Sequence, residues 1–202
     1  MLKQTLTISA VVALLTVGSM ADNEHRGHGR NHGNVQQQGQ NCRGNGNFNS
    51  TTTQESNVQL SDAQKEGLIF MIEEEKVARD VYLHLAEKWN DRVFSNIAKA
   101  EQKHMNAVER LAKRYGVTVP STLTEEGIFL DERLQKMYND LIVKGEKSLR
   151  DAYLVGVLVE ETDIDDLENL LDDETISSSA KQIYSNLLRG SQNHLRAFNR
   201  RL

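Results

Sequence analysis

A single proline, Pro120, interrupts a chain of 202 residues, and no β-hairpin dipeptide occurs after residue 60. Ala, Leu, Glu, Lys and Arg are abundant there, so nothing from residue 60 onward stops long helices except at a few places. The fold expected is all-α. Ser61 with Gln64 predicts a capping box that opens a helix running to about Trp89, and Asn90 or Asp91 starts the next. That helix ends on Lys113 and Arg114, ahead of Gly116 and Pro120. DERLQKMYNDLIVK reads as a shorter helix stopping at Gly145. Glu146 or Ser148 opens a long segment to about Leu171, bent near Thr162, and a last helix runs from about Thr175 to the Arg-rich terminus. Four long helices in two pairs, separated by a connection that carries a short helix, describe a four-helix bundle with a crossover.

Residues 94 to 105 read FSNIAKAEQKHM and residues 184 to 195 read YSNLLRGSQNHL. Ser, Asn, Gln and His coincide, and Glu101 is answered by Ser191. Each phrase falls on the second helix of a pair. The first helices carry a matching feature. The apolar stripe Leu68, Met71, Ile72, Ala78, Tyr82, Leu85, Trp89 has Glu75 at its centre. The stripe Leu149, Tyr153, Gly156, Val157, Ile164, Leu167, Leu171 has Glu160 at its centre. A carboxylate on a buried face is costly unless paired or bound to a cation. On the second helices Glu101 and His104 lie one above the other among apolar neighbours, and His194 occupies the corresponding row beside Ser191. Carboxylates and imidazoles projecting into one bundle core form the ligand set of a di-iron or di-manganese site.

Each element also has a plainer reading. The run Glu73, Glu74, Glu75 could be a charged face turned only partly inward, and a lone histidine near a core is often a hydrogen-bonded structural residue. Tyr82 and Tyr153 read as core packing, with a redox-active neighbour as the rarer alternative.

The rest of the chain sets the context. Lys3 precedes an apolar run from Ile8 to Val17, with Ser19 and Ala21 ahead of Asp22, so residues 1–21 read as a signal peptide and the protein as exported, periplasmic or extracellular. That run is too short to span a bilayer, and no membrane insertion is expected. Losing Lys3 with the leader moves the formal charge from −5 to −6, which argues against a nucleic-acid partner. Cys42 is the only cysteine, so no internal disulfide can form. Residues 22–59, rich in Gly, Asn and Gln, read as a disordered arm. In it EHRGHGRNHG places His25, His28 and His32 either as a loose metal-binding tract or as a plain polar linker. Residues 60–202 make one domain.

The strings IEEEKVARDVYLHL, FSNIAKAEQKHMNAVERL, VGVLVEETDIDDLENLL and IYSNLLRGSQNHLRAF resemble the ferritin-like superfamily and, within it, the DUF2202 family of bacterial and archaeal proteins. The resemblance covers nearly all of residues 60–200. It implies a ferritin-like four-helix bundle with a dinuclear metal centre, each half supplying a Glu from its first helix and a Glu-x-x-His from its second. Carried onto this chain, the ligands are Glu75, Glu101, His104, Glu160 and His194, and Ser191 stands where a further Glu is expected. Asp163, one turn beyond Glu160, could supply the missing oxygen, as could Glu74 or Glu161. Otherwise one ion is weakly held or absent. The leading functional reading is a centre of two iron ions, manganese being the alternative, that reacts with dioxygen or hydrogen peroxide as an oxidoreductase. The competing readings are a metal-sequestering protein of the cell envelope and a metal-free helical scaffold. Oligomeric state is left open.

Overall fold

The computed structural model describes residues 59–202; the expected signal peptide and the arm with His25, His28 and His32 lie outside the described residues. Among the described residues every regular element is helical: α1 Asp62–Trp89, α2 Arg92–Arg114, a 3₁₀ turn Ser121–Thr124, α3 Glu132–Gly145, α4 Leu149–Leu171 and α5 Ser178–Asn199. None of these helices is long and apolar enough to cross a membrane.

The caps fall where side-chain chemistry allows. The Ser61 hydroxyl accepts from Gln64 N while Gln64 Oε1 accepts from Ser61 N, which satisfies two orphan donors of α1. Asn90 takes the left-handed conformation, φ 50°, that ends α1, and the neighbouring Asp91 caps α2 through Val93 N. Ser148, not Glu146, caps α4, and Ser177 caps α5, which therefore starts three residues later than Thr175. Helix α4 runs unbroken through Thr162, whose hydroxyl donates to the Leu158 carbonyl one turn earlier.

Helices α1 and α2 form one hairpin and α4 and α5 the other; α1 also meets α4, and α2 meets α5. Helix α3 lies across both α1 and α4. The crossover that carries it is tied down from α1. Lys76 Nζ, wholly buried, lies 2.6 Å from Asp80 Oδ2 and 3.1 Å from the Ile128 carbonyl, and 4.0 Å above the Phe129 ring. Asp80 also accepts from Gly127 N, Arg79 reaches the Leu123 carbonyl, and Glu73 accepts from Leu130 N. These contacts satisfy backbone groups of a segment that makes no ladder of its own.

Two apolar clusters fill the interior. One holds Tyr82, Leu85, Phe94, Tyr153 and Phe198, with ring centroids 5.2 Å apart for Tyr82 and Phe198 and 5.6 Å for Phe94 and Tyr153. The other holds Met71, Ile72, Val108, Leu111, Leu167 and Tyr184. Along α1 the polar residues Glu73 and Glu74 are also buried, because α3 and the crossover cover the side of α1 that a four-helix core would leave wet.

Candidate metal centre

Between the two apolar clusters the inward positions of four helices turn polar. Glu75 comes from α1, Glu101 and His104 from α2, Glu160 and Asp163 from α4, Ser191 and His194 from α5. Glu75, Glu101 and Glu160 expose no more than 2% of their surface, and Ser191 none. Burial this complete removes three carboxyl groups from water, which only a compensating charge makes tolerable.

Glu101 lies in the middle. Its Oε2 is 2.8 Å from His104 Nδ1 and its Oε1 is 2.7 Å from His194 Nδ1. Glu75 Oε2 lies 3.3 Å from His104 Nδ1, and Glu160 Oε2 lies 3.5 Å from His194 Nδ1. Two three-residue groups result, Glu75 with Glu101 and His104, and Glu101 with Glu160 and His194, each with its donor atoms within 4.8 Å of one another. The imidazoles stack with centroids 5.6 Å apart.

The ion pairs are short in distance but not aligned as hydrogen bonds. His104 Nδ1, His194 Nδ1, Glu75 Oε1 and Glu101 Oε1 are buried with no hydrogen-bond partner. Buried polar atoms are nearly always paired in lines, so donors that converge on a point instead fit a cation. The donor set fits too: oxygen with one imidazole per group suits iron or manganese better than a thiolate-seeking metal.

Electrostatics follow from this crowding. Burial lifts Glu75 to about 7 despite the His104 imidazole beside it. Burial and the Glu101 charge lift Glu160 to about 8. Burial works against ionisation of Glu101 too, but two imidazoles outweigh it and hold Glu101 at about 2. The same carboxylates overcome burial to raise His104 to about 11 and His194 to about 10.

The residues around the five divide. Asp163 is buried and accepts from the Ser191 hydroxyl, so its carboxylate stands over the position at which α5 lacks a Glu, but it joins neither group. Burial, then the charge of Glu75, pushes Asp163 well above the usual carboxylate range. Glu74 is buried beside Asp163 rather than within the groups, and Glu161 faces solvent and joins neither. Tyr82, fully buried, donates to Glu160 Oε1 at 2.7 Å. Tyr153 instead bonds Asp91 at the end of the bundle. Gly190 was not singled out by the sequence; its missing side chain leaves room for the His104 ring. The signal lay in the column of the repeat where Ala100 becomes Gly190.

Fold and site thus define an all-helical protein in which buried carboxylate and imidazole groups able to hold a metal lie between two helical hairpins. The chain belongs to the family described as "Uncharacterized protein domain (DUF2202)", whose model matches residues 64–202. It is 46% identical over 143 residues to the uncharacterized protein MJ0754 of Methanocaldococcus jannaschii, a match spanning 71% of this chain and 77% of that one. The crystal structure of the hypothetical protein MJ0754 from Methanococcus jannaschii is similar with a TM-score of 0.69 at 45% identity, over 72% of this chain and 82% of that chain.

Proposed function

We propose that the chain is an exported, ferritin-like protein whose helices hold a dinuclear centre, two iron ions with manganese as the alternative, for redox chemistry on dioxygen or hydrogen peroxide. The observation that carries this reading is the placement of Glu101, one oxygen toward His104 and the other toward His194. A carboxylate so placed can serve two ions at once. Glu75 and Glu160 would be the outer carboxylates, and each imidazole would serve one ion through Nδ1. Two ferrous ions supply two electrons, enough to reduce hydrogen peroxide to water or dioxygen to hydrogen peroxide. The residues hold, space and shield: the carboxylates can change between terminal and bridging modes as charge changes, Tyr82 fixes Glu160 by its hydrogen bond, and the apolar clusters on either side exclude water.

The test is a metal count. Protein lacking residues 1–21 is loaded with ferrous iron under anaerobic conditions, desalted and analysed, then exposed to peroxide while ferrous iron is followed with a chelator. About two ions per chain, and their oxidation, are expected. Retention no greater than in a His104→Ala, His194→Ala double variant would sink the proposal.

A second reading, metal sequestration without turnover, is favoured by Ser191 at the place of a ligand and by His25, His28 and His32 in the arm. Deleting residues 22–59 separates the two, since a sequestering protein should lose much of its capacity and a redox centre should keep its reaction.

A further inference from the structure

Of the five cluster residues only the imidazoles meet solvent. The side chains of His104 and His194 are 15% and 12% exposed, against 1% for Glu75 and 2% for Glu101 and Glu160. Nδ1 of each ring turns to the carboxylates, so the accessible edge is the opposite one. For His104 that edge lies against Gly190, where α5 has no side chain to cover it. The accessible side of the cluster is therefore the seam between α2 and α5.

The surface around this seam carries charge of one sign. Lys99 and Lys103 on α2 and Arg189 and Arg196 on α5 are exposed, each no more than five residues from His104 or His194. Among the described residues none of the four pairs with a carboxylate; Arg189 and Arg196 donate to Asn186 and Asn193 instead. Helix α5 contains no acidic residue, and the only acid of α2 besides Glu101 is Glu109, which Lys113 holds at 2.5 Å. The whole chain has a net charge of −5, so the positive field is local to these two helices. A basic stripe alone is a solvated face. Here it frames the side from which a reactant can reach the imidazoles. Such a setting raises the encounter rate of the opposite ion by about 10- to 1000-fold. Neutral molecules gain nothing, and cations, metal ions included, are repelled.

We propose that the α2–α5 seam is the mouth of the centre and that Lys99, Lys103, Arg189 and Arg196 steer to it an anionic oxidant, a peroxide that carries a negatively charged group. The positive mouth stands on its own geometry; the reaction there rests on the dinuclear reading above. Peroxymonosulfate is a simple peroxide of this kind. Its O–O bond accepts one electron from each of two ferrous ions and breaks, and one proton from solvent completes sulfate and water.

The mouth is tested without metal. In the proton NMR spectrum of metal-free protein, a negatively charged gadolinium chelate should broaden the His104 and His194 ring lines more than a neutral chelate of similar size, and about 0.5 M salt should remove the excess. A Lys103→Glu, Arg189→Glu double variant should remove it as well. The salt arm needs no variant, so it decides the matter even if the two substitutions disturb the helices. Equal broadening by the two chelates overturns the mouth. The reaction is followed by stopped flow in ferrous-loaded protein. Oxidation by peroxymonosulfate should be about 10-fold or more slower in the double variant, or in about 0.5 M salt, than in wild type at low salt, while oxidation by hydrogen peroxide should change by no more than about 2-fold. Rates that fall equally for both peroxides, or for neither, overturn the steering of an oxidant. A chain that retains no iron, yet whose rings still distinguish the chelates, removes the dinuclear reading and the oxidant with it but leaves the positive mouth standing.

Discussion

A methyl group on Gly190 would stand 2.5 Å from His104 Nε2 and 2.6 Å from its Cε1, so the His104 ring can hold its place only because α5 has no side chain there. Gly190→Ala should therefore displace the imidazole. An Ala in a helix interior is otherwise worth about 1 kcal/mol over Gly. Here that gain is set against overpacking. The expected result is metal affinity lowered by about 10-fold or more with helix content unchanged, measured by competition with a chelator. Unaltered affinity would mean that the ring does not need its present position.

Glu101 should be the least replaceable ligand. Glu101→Gln takes the negative charge and the two-oxygen carboxylate from both groups at once, whereas Glu75→Gln or Glu160→Gln touches one. Elemental analysis of the desalted variants should show Glu101→Gln close to metal-free and each of the others with about half the wild-type content. Equal losses in all three would remove Glu101 from its shared role.

Metal-free stability should fall as pH rises, and bound metal should offset that fall. Glu75 and Glu160 rise from 4.5 to about 7 and about 8, so their stabilising contribution is present below pH 4.5 and lost as pH rises through those values. His104 and His194 rise from 6.5 to about 11 and about 10, so theirs is complete below 6.5 and lost as pH climbs through 10 and 11. Glu101, depressed to about 2, contributes above 4.5 and loses this only as pH falls through 2. Metal-free protein should thus melt at lower temperature at about pH 8 than at about pH 5. Metal competes with those same protons, so the melting gap between Mn²⁺-loaded and metal-free protein should widen over that interval. Calorimetric scans that show a constant gap, or none, would contradict metal binding at these residues.

The polar tie between α1 and the crossover should be costly to break from one side only. Asp80→Asn leaves Lys76 buried without its charged partner, and a loss of about 3–5 kcal/mol is expected from the shift in urea midpoint. Lys76→Met should cost less, because Asp80 keeps Arg79 and Gly127 N.

Much of this structure could be read in the residues because its signals are local. Ser61 with Gln64, and Asp91, announce helix starts by donor and acceptor counting, and Glu75 and Glu160 stand out as carboxylates centred on apolar stripes. His104 and His194 were marked by repetition. What periodicity could not reveal is which side chains meet across helices. Asp163 reaching Ser191 joins α4 to α5, and nothing in either helix alone encodes that contact. The burial of Glu73, Glu74, Lys76 and Asp80 was hidden for a related reason: their face is polar in sequence, and only the packing of α3 and its connection over α1 makes it interior. Likewise the choice between Asn90 and Asp91 turned on a left-handed residue, which either could have supplied.

The two halves repeat each other, yet Tyr82 has no equivalent. Counting seven residues on from Glu160, as Tyr82 lies seven on from Glu75, leads to Leu167, which has no proton to offer. Glu160 thus shares its electron density with the Tyr82 hydroxyl, while Glu75 faces the Asp163 carboxyl instead. The two outer carboxylates therefore have unlike surroundings, one held in place by a phenol and the other without that restraint, so a chain built from a near-duplicate still presents two inequivalent positions rather than a symmetric pair.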